Sequence, residues 1–210
     1  MSSAKKRTYN SEARKAQAAQ TRNRILAAAR TLFQAQGIEG VRIEQIAHTA
    51  SVSAPTVYSL FQSKRGILRA LIDDALPADQ LEALVAAAKG ATSLKELLPI
   101  SAKIARKMYD AERAQMDVFW GTYVVTPEFK ALEKEREHRR YQRQEETLTA
   151  VAQEDIFKEG LTLPQARDIL WAFTGRDMYR LFVVEQGWTS EDYEKWLGQL
   201  LSQTLMGDDQ

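Results

Sequence analysis

Residues 37–68 read GIEGVRIEQIAHTASVSAPTVYSLFQSKRGIL, and the spacing of the apolar residues in this stretch decides the fold. Ile43, Ile46 and Ala47 recur at helical spacing and form one apolar face. Val52 follows in a turn. Val57, Leu60 and Phe61 form a second face, and Ile67, Leu68 and Leu71 a third. Ser53 is a natural N-cap for the second helix, and Pro55 falls in its first turn, where a missing N–H costs nothing. Two short helices, a turn of about four residues and a small apolar core describe a helix-turn-helix, a motif whose second helix lies in the major groove of DNA. That helix spans Ala54 to Phe61 in this reading.

Working outward, 210 residues suffice for one or two domains with a sizeable core. The net charge of +1 hides an uneven distribution. Residues 1–76 hold 12 Lys and Arg against 5 Asp and Glu, whereas the remainder holds 17 against 23. A basic N-terminal third joined to an acidic body is the charge pattern of a DNA-reading head on a separate body. Lys5, Lys6, Arg7, Arg14, Lys15, Arg22 and Arg24 make the first segment a basic arm. It reads either as a phosphate contact, in the minor groove for instance, or as a flexible solubilising tail. The chain has no cysteine, which excludes disulfides, cysteine-ligated zinc and thiol catalysis. No apolar run approaches the ~20 residues of a membrane span, and the N-terminus lacks the apolar core of a signal peptide. A soluble cytoplasmic protein without a membrane partner is expected.

The rest of the chain reads as helix. Ile25, Leu26, Ala29, Leu32 and Phe33 mark a first amphipathic helix that ends at Gly37. A helix with Ser63 as N-cap runs to Leu76, before Pro77. Further helices are expected over roughly 79–89, 94–111 and 113–125, the second with a capping box at Ser93 and Glu96. Thr126-Pro127 opens a long charged helix to about 153, Thr162 opens one ending near Gly187, and Thr189 opens the last, to about Met206. The division expected is an arm over 1–20, a helix-turn-helix domain over 21–76 and an all-α body over 77–210.

The ordered string Gly37, Ile43, Ile46-Ala47, Ala50, Val52-Ser53, Pro55-Thr56-Val57-Tyr58, Phe61, Ser63-Lys64 and Ile67-Leu68 resembles the N-terminal signature of the TetR family of bacterial transcriptional regulators. Val41-Arg42 stand where that family commonly has Thr or Ser, Ser51 replaces the usual turn Gly, and Leu60 replaces a frequent His or other polar residue. The resemblance implies an all-α fold: a three-helix head, then a helical body that binds a ligand and dimerises. It also implies a repressor released from a palindromic operator by a small effector. The lever between ligand and head would be Ser63 to Leu76. A regulator with no small-molecule effector, controlled by a protein partner, is the rival reading.

Candidate DNA contacts are Arg42, Ser53, Ala54, Pro55, Thr56, Tyr58, Ser59 and Lys64. None of the exposed positions on the reading helix is Arg, Asn or Gln, the usual bidentate base readers. Direct readout is therefore expected to be sparse and partly apolar, with Ala54 or Pro55 against a thymine methyl. Thr56, Tyr58 and Lys64 match family positions that hold phosphates. Arg42 beside a helix N-terminus opposes the helix dipole unless a phosphate lies nearby.

In the body, Tyr109, Met116, Phe119, Trp120 and Tyr123 cluster on consecutive segments, with Trp171, Arg176 and Met178 further along. Aromatics at helical spacing are more often core than pocket. TetR-like bodies hold an effector cavity among these middle helices, which makes an apolar or aromatic effector the expectation. Leu170 and Phe173, then Leu181, then Trp196, Leu197, Leu200 and Leu201 lie on two late helices that are too apolar for one subunit to cover. They are read as a homodimer seam. Glu135 and His138 have the spacing of a di-iron bundle ligand pair, but the only other histidine, His48, lacks the matching Glu. The charged helix therefore reads as a solvated face. No metal, cofactor or catalytic residue is expected, and the chain does not read as an enzyme.

Overall fold

The computed structural model describes residues 3–115, 127–151 and 157–207. The chain is all-α. Its helices are α1 (Ser3–Gly40), α2 (Ile43–Thr49), α3 (Ala54–Phe61), α4 (Lys64–Asp73), α5 (Ala78–Gly90), α6 (Leu94–Gln115), α7 (Pro127–Val151), α8 (Leu163–Phe173), α9 (Arg176–Tyr179) and α10 (Ser190–Leu205). A π-helical segment, Arg180–Glu185, continues α9. One antiparallel bridge, Phe157 to Met206, is the only extended pairing among the described residues. The chain divides into two compact units, a head that holds α1–α4 and the start of α7 as far as Phe129, and a body that holds Asp74 onward without that start.

In the head, Ile25, Leu26, Ala28, Ala29 and Phe33 of α1 are buried, as are Ile43, Ile46 and Ala47 of α2, Val57 and Phe61 of α3, and Ile67, Leu68 and Leu71 of α4. These are the three apolar faces read from the sequence, with one exception. Leu60 is 41% exposed. In a helix of eight residues the buried stripe is one residue wide, and Val57 and Phe61, four apart, fill it. The segment read as an arm is helical from Ser3 and runs directly into α1. Residues 3–36 contain no Gly or Pro and are rich in Ala, Lys, Arg and Gln, all strong helix formers. The helix breaks at Gly37, whose φ is +71°.

In the body, α6 and α10 pack along their lengths. Leu94, Leu97, Leu98, Ala102 and Ala105 of α6 meet Tyr193, Leu197, Leu201 and Leu205 of α10 in the core. The close approach is made at Gly198, opposite Pro99 and Ala102. Four expectations need correction. The helix α6 is continuous through position 112 and does not break before 113. In the capping box at its start, Ser93 accepts from the Glu96 N–H as read, but the Glu96 carboxylate bonds Thr92, accepting from its N–H at 2.9 Å and its hydroxyl at 3.1 Å. The single helix read from Thr162 to Gly187 is interrupted at Thr174-Gly175. There the Thr174 hydroxyl donates to Leu170 O at 2.5 Å and the Gly175 N–H to Ala172 O at 3.2 Å, closing the last turn of α8. Finally, Leu170, Leu197 and Leu201, read as dimer seam, are wholly buried within the single chain. They belong to the subunit core: α6 covers Leu197 and Leu201 of α10, and Leu170 of α8 joins the same cluster.

Candidate nucleic-acid interface and effector region

The head positions α3 through local hydrogen bonds that its sequence supplies. Ser53 Oγ accepts from the Thr56 N–H at 3.3 Å and shares a 2.8 Å bond with the Thr56 hydroxyl. Gln45 Oε1 accepts from the Arg42 N–H at 2.7 Å and closes the start of α2. Ser51 has φ +53°, the left-handed turn conformation that a Gly would adopt more easily. Gln62, just past α3, has φ +64°, a strained position with no signal in the sequence. At Gly66 an added Cβ would lie 1.9 Å from Phe61 O, so α3 and α4 can meet there only through glycine.

The outer side of α3 is bare. Tyr58 is 46% exposed, and Pro55 and Ser59 are exposed with Leu60 beside them. Ala54 and Thr56 are half-buried, and Arg42 is exposed at the N-cap of α2. Lys64 is placed differently from its neighbours. Its Nζ donates to Ile38 O at 2.8 Å and to Val41 O at 3.2 Å, tying α4 to the link between α1 and α2. With three donors on the ammonium, one is left for a phosphate. Arg22 lies over the Phe61 ring at 5.8 Å.

In the body, Met116, Phe119, Trp120 and Tyr123 lie outside the described residues. Among the remaining candidates, Tyr109 and Arg176 are brought together, with the guanidinium 5.8 Å from the ring centre. Trp171 is half-buried, and Met178 packs against the core. Their setting is polar. Glu112 is only 4% exposed and is held between Arg136 and Arg176. Arg176 also reaches Glu133 at 3.0 Å. Burial opposes the charge of Arg136, but Glu112 outweighs it and raises its pKa overall. Burial pushes the Glu133 carboxyl up, against the pull of Arg176 and Arg136. Arg140 pairs with Glu137 and donates to Trp171 O and to Thr174 Oγ1, both at 2.8 Å. The long charged helix α7 is thus a correction to the solvated face: its Arg136 and Arg140 turn inward, while His138 is exposed. A sequence dense in charge does not show which turn of a helix finds buried partners, and Glu112, Arg140, Gln144 and Thr174 were missed for that reason.

Of the residues read as a dimer seam, Phe173, Trp196 and Leu200 are half-buried and Leu181 is 40% exposed. Trp188, missed from the sequence, is 37% exposed and meets Phe182 at 4.8 Å and Trp196 at 5.6 Å edge to face. An apolar, aromatic surface remains on this side of a single chain.

Residues 25–71 match the family described as bacterial regulatory proteins, tetR family. No curated protein matches the sequence. Among solved structures, native NalD, the secondary repressor of the MexAB-OprM multidrug efflux pump in Pseudomonas aeruginosa, is similar at 22% identity. It covers 90% of this chain and 98% of its own, with a TM-score of 0.69. SmeT in its complex with triclosan is 18% identical over 90% of this chain and 93% of its own, TM-score 0.68. The regulator FadR from Bacillus subtilis, in complex with stearoyl-CoA, is 21% identical over 85% and 96%, TM-score 0.63. The head therefore carries the region that matches the tetR-family model, and the chain as a whole has the fold of these solved structures. Among the described residues no helix is long and apolar enough to cross a membrane.

Proposed function

We propose that this protein is a homodimeric cytoplasmic repressor that leaves a palindromic operator when a small, largely apolar effector binds its body. The observation that carries the reading is the outer side of α3. It is positioned by Ser53, Thr56 and Gly66, yet leaves Pro55, Tyr58, Ser59 and Leu60 exposed. A helix so held, on a basic head, suits insertion into a major groove. Tyr58, Thr56 and Lys64 bind phosphates with Ser53. Ala54, Pro55 and Ser59 meet base edges, and Arg42 adds a charge at the groove wall. Two chains joined through the aromatic surface of Leu181, Trp188 and Trp196 place two such helices on one face of the duplex. The reading involves no cofactor and no catalytic residue. That NalD is a repressor, and that SmeT and FadR were solved with small molecules bound, supports it.

Selection of DNA from a random library by the purified chain tests the reading. The expected outcome is an enriched inverted repeat whose affinity falls as salt rises, because phosphate contacts release counterions. Enrichment of no sequence, with no binding at low salt, refutes it.

A further inference from the structure

We propose that the first part of α1, ahead of the head core, is a rigid basic helix that lies along the phosphates beside the groove read by α3. It extends the DNA interface as a helix with one contacting face, not as a flexible arm. The inference rests on the reading above that the head binds DNA, and it adds a second, sequence-independent surface.

The helix α1 is regular from Ser3 to the kink at Gly37, so the face on which a residue falls follows from its spacing. The face packed into the head core holds Ile25, Leu26, Ala29 and Phe33. Counting back from it in steps of three and four gives Arg22, Ala18 and Arg14, with Lys15 beside Arg14. The basic stripe is therefore the core face of α1 continued past the edge of the head. Arg22 marks the crossing. It is half-buried, and its guanidinium lies 5.8 Å from the ring centre of Phe61, the last residue of α3. Arg24 lines a groove with Thr49 and Ser51, in the turn that leads into α3. The extension thus leaves the head beside the reading helix. Beyond that point residues 13–20 are all exposed. At a rise of about 1.5 Å per residue, Arg14 stands about 12 Å past Arg22. That distance spans more than three base pairs of duplex, at about 3.4 Å each.

The composition of the stretch selects its occupant. Residues 3–24 hold seven Lys and Arg against one Glu, and no Val, Ile, Leu, Met, Phe or Trp. A helix that lies on a membrane needs an apolar face, and one that pairs with another helix needs an apolar seam. This stretch has neither. Its like charges repel one another, and the first turn of α1 has no acidic residue to meet the helix dipole. What favours helix is its Ala and Gln content and its growth from the folded part of α1, which spares it the cost of nucleation. A polyanion along the stripe replaces the repulsion with attraction. Duplex DNA carries a charge every ~1.7 Å of its axis, and α3 brings it to that side of the head. Contacts of this kind fix position and carry no sequence information.

Fluorescence anisotropy of the full-length chain on a mixed-sequence duplex of about 40 base pairs, between about 50 and 200 mM salt, tests this. Arg14→Gln with Lys15→Gln removes two phosphate contacts, so the slope of log affinity against log salt should become shallower by about 1.8. Over that range the variant should lose about tenfold less affinity than the wild type. A second variant adds Ala13→Lys and Gln20→Arg, exposed positions on the opposite face, and so restores the net charge. It should keep the shallow slope. Ala18→Pro, which breaks the helix ahead of the head core, should match the first variant. An unchanged slope in Arg14→Gln with Lys15→Gln overturns the inference and leaves the reading of α3 standing. A wild-type slope in the charge-restored variant or in Ala18→Pro shows a flexible tail and overturns the rigid helix. Failure of the wild-type chain to bind the duplex at about 50 mM salt overturns this inference together with the DNA reading of the head.

Discussion

Tyr58 is the most exposed large hydrophobic residue among those described, and in the proposed interface its phenol meets a phosphate. Removing the hydroxyl costs one such bond. Tyr58→Phe should therefore bind every duplex more weakly by about 1 kcal/mol and keep its ranking of sequences, because phosphates carry no sequence information. Fluorescence anisotropy over a panel of selected and scrambled duplexes checks this, and a changed ranking would make Tyr58 a base reader. The buried tyrosines of the body behave differently. Burial raises the Tyr109 phenol to about 12, and burial also lifts Tyr179 and Tyr193 well above the ordinary range. An unfolded phenol ionises near pH ~10, so the contribution of Tyr109 to stability is intact below that pH and disappears as the pH rises toward 12. In an alkaline titration followed by phenolate absorbance, these three of the seven tyrosines should ionise only with the loss of helical circular dichroism. Ionisation of all seven near pH ~10 in a chain that is still folded would contradict the burial described.

The junction of α3 and α4 sets the angle of the reading helix, and it depends on a glycine. Gly66→Ala would drive a methyl into the Phe61 carbonyl at 1.9 Å, so the turn must open. The expected cost is about 1–3 kcal/mol, as for other overpacked sites. DNA affinity should fall with stability, since α3 moves with the turn. Thermal denaturation and anisotropy together check this, and a variant with unchanged melting and binding would show that the junction yields freely. Elements whose signals are local were legible in the sequence. The N-cap at Ser53, the left-handed Ser51 and the three apolar faces of the head follow from spacing and side-chain chemistry alone. What was not legible depends on neighbours far along the chain. Leu60 reads as core but faces outward because Val57 and Phe61 fill a narrow stripe. The long helix after Thr162 breaks where Thr174 and Arg140 of α7 take the carbonyls of its last turn. The charges of α7 read as surface, but Glu112 of α6 draws Arg136 inward, and Trp171 O and Thr174 Oγ1 at the end of α8 receive Arg140. Of the residues named from the sequence as effector candidates, Tyr109 and Arg176 lie against each other, in a polar setting that the sequence did not reveal.

At the scale of the whole molecule, the account requires two copies of the chain. Leu170, Leu197 and Leu201 are spent on the subunit core, so the surface left for a partner is that of Leu181, Trp188 and Trp196. Leu181→Glu with Trp188→Glu should give a folded monomer, since both positions are more than a third exposed in the single chain and tolerate charge there. Sedimentation velocity should show the loss of the dimer, and a double variant that still sediments as a dimer would place the seam elsewhere. The central claim is that two copies of α3 read successive major grooves on one face of a duplex. Hydroxyl-radical footprinting on the enriched DNA tests it most directly. The account predicts two protected patches on one face, centred about 10 base pairs or a multiple of that apart, with two chains bound per duplex. A single protected patch with one chain bound, or continuous protection with no periodicity, would contradict it.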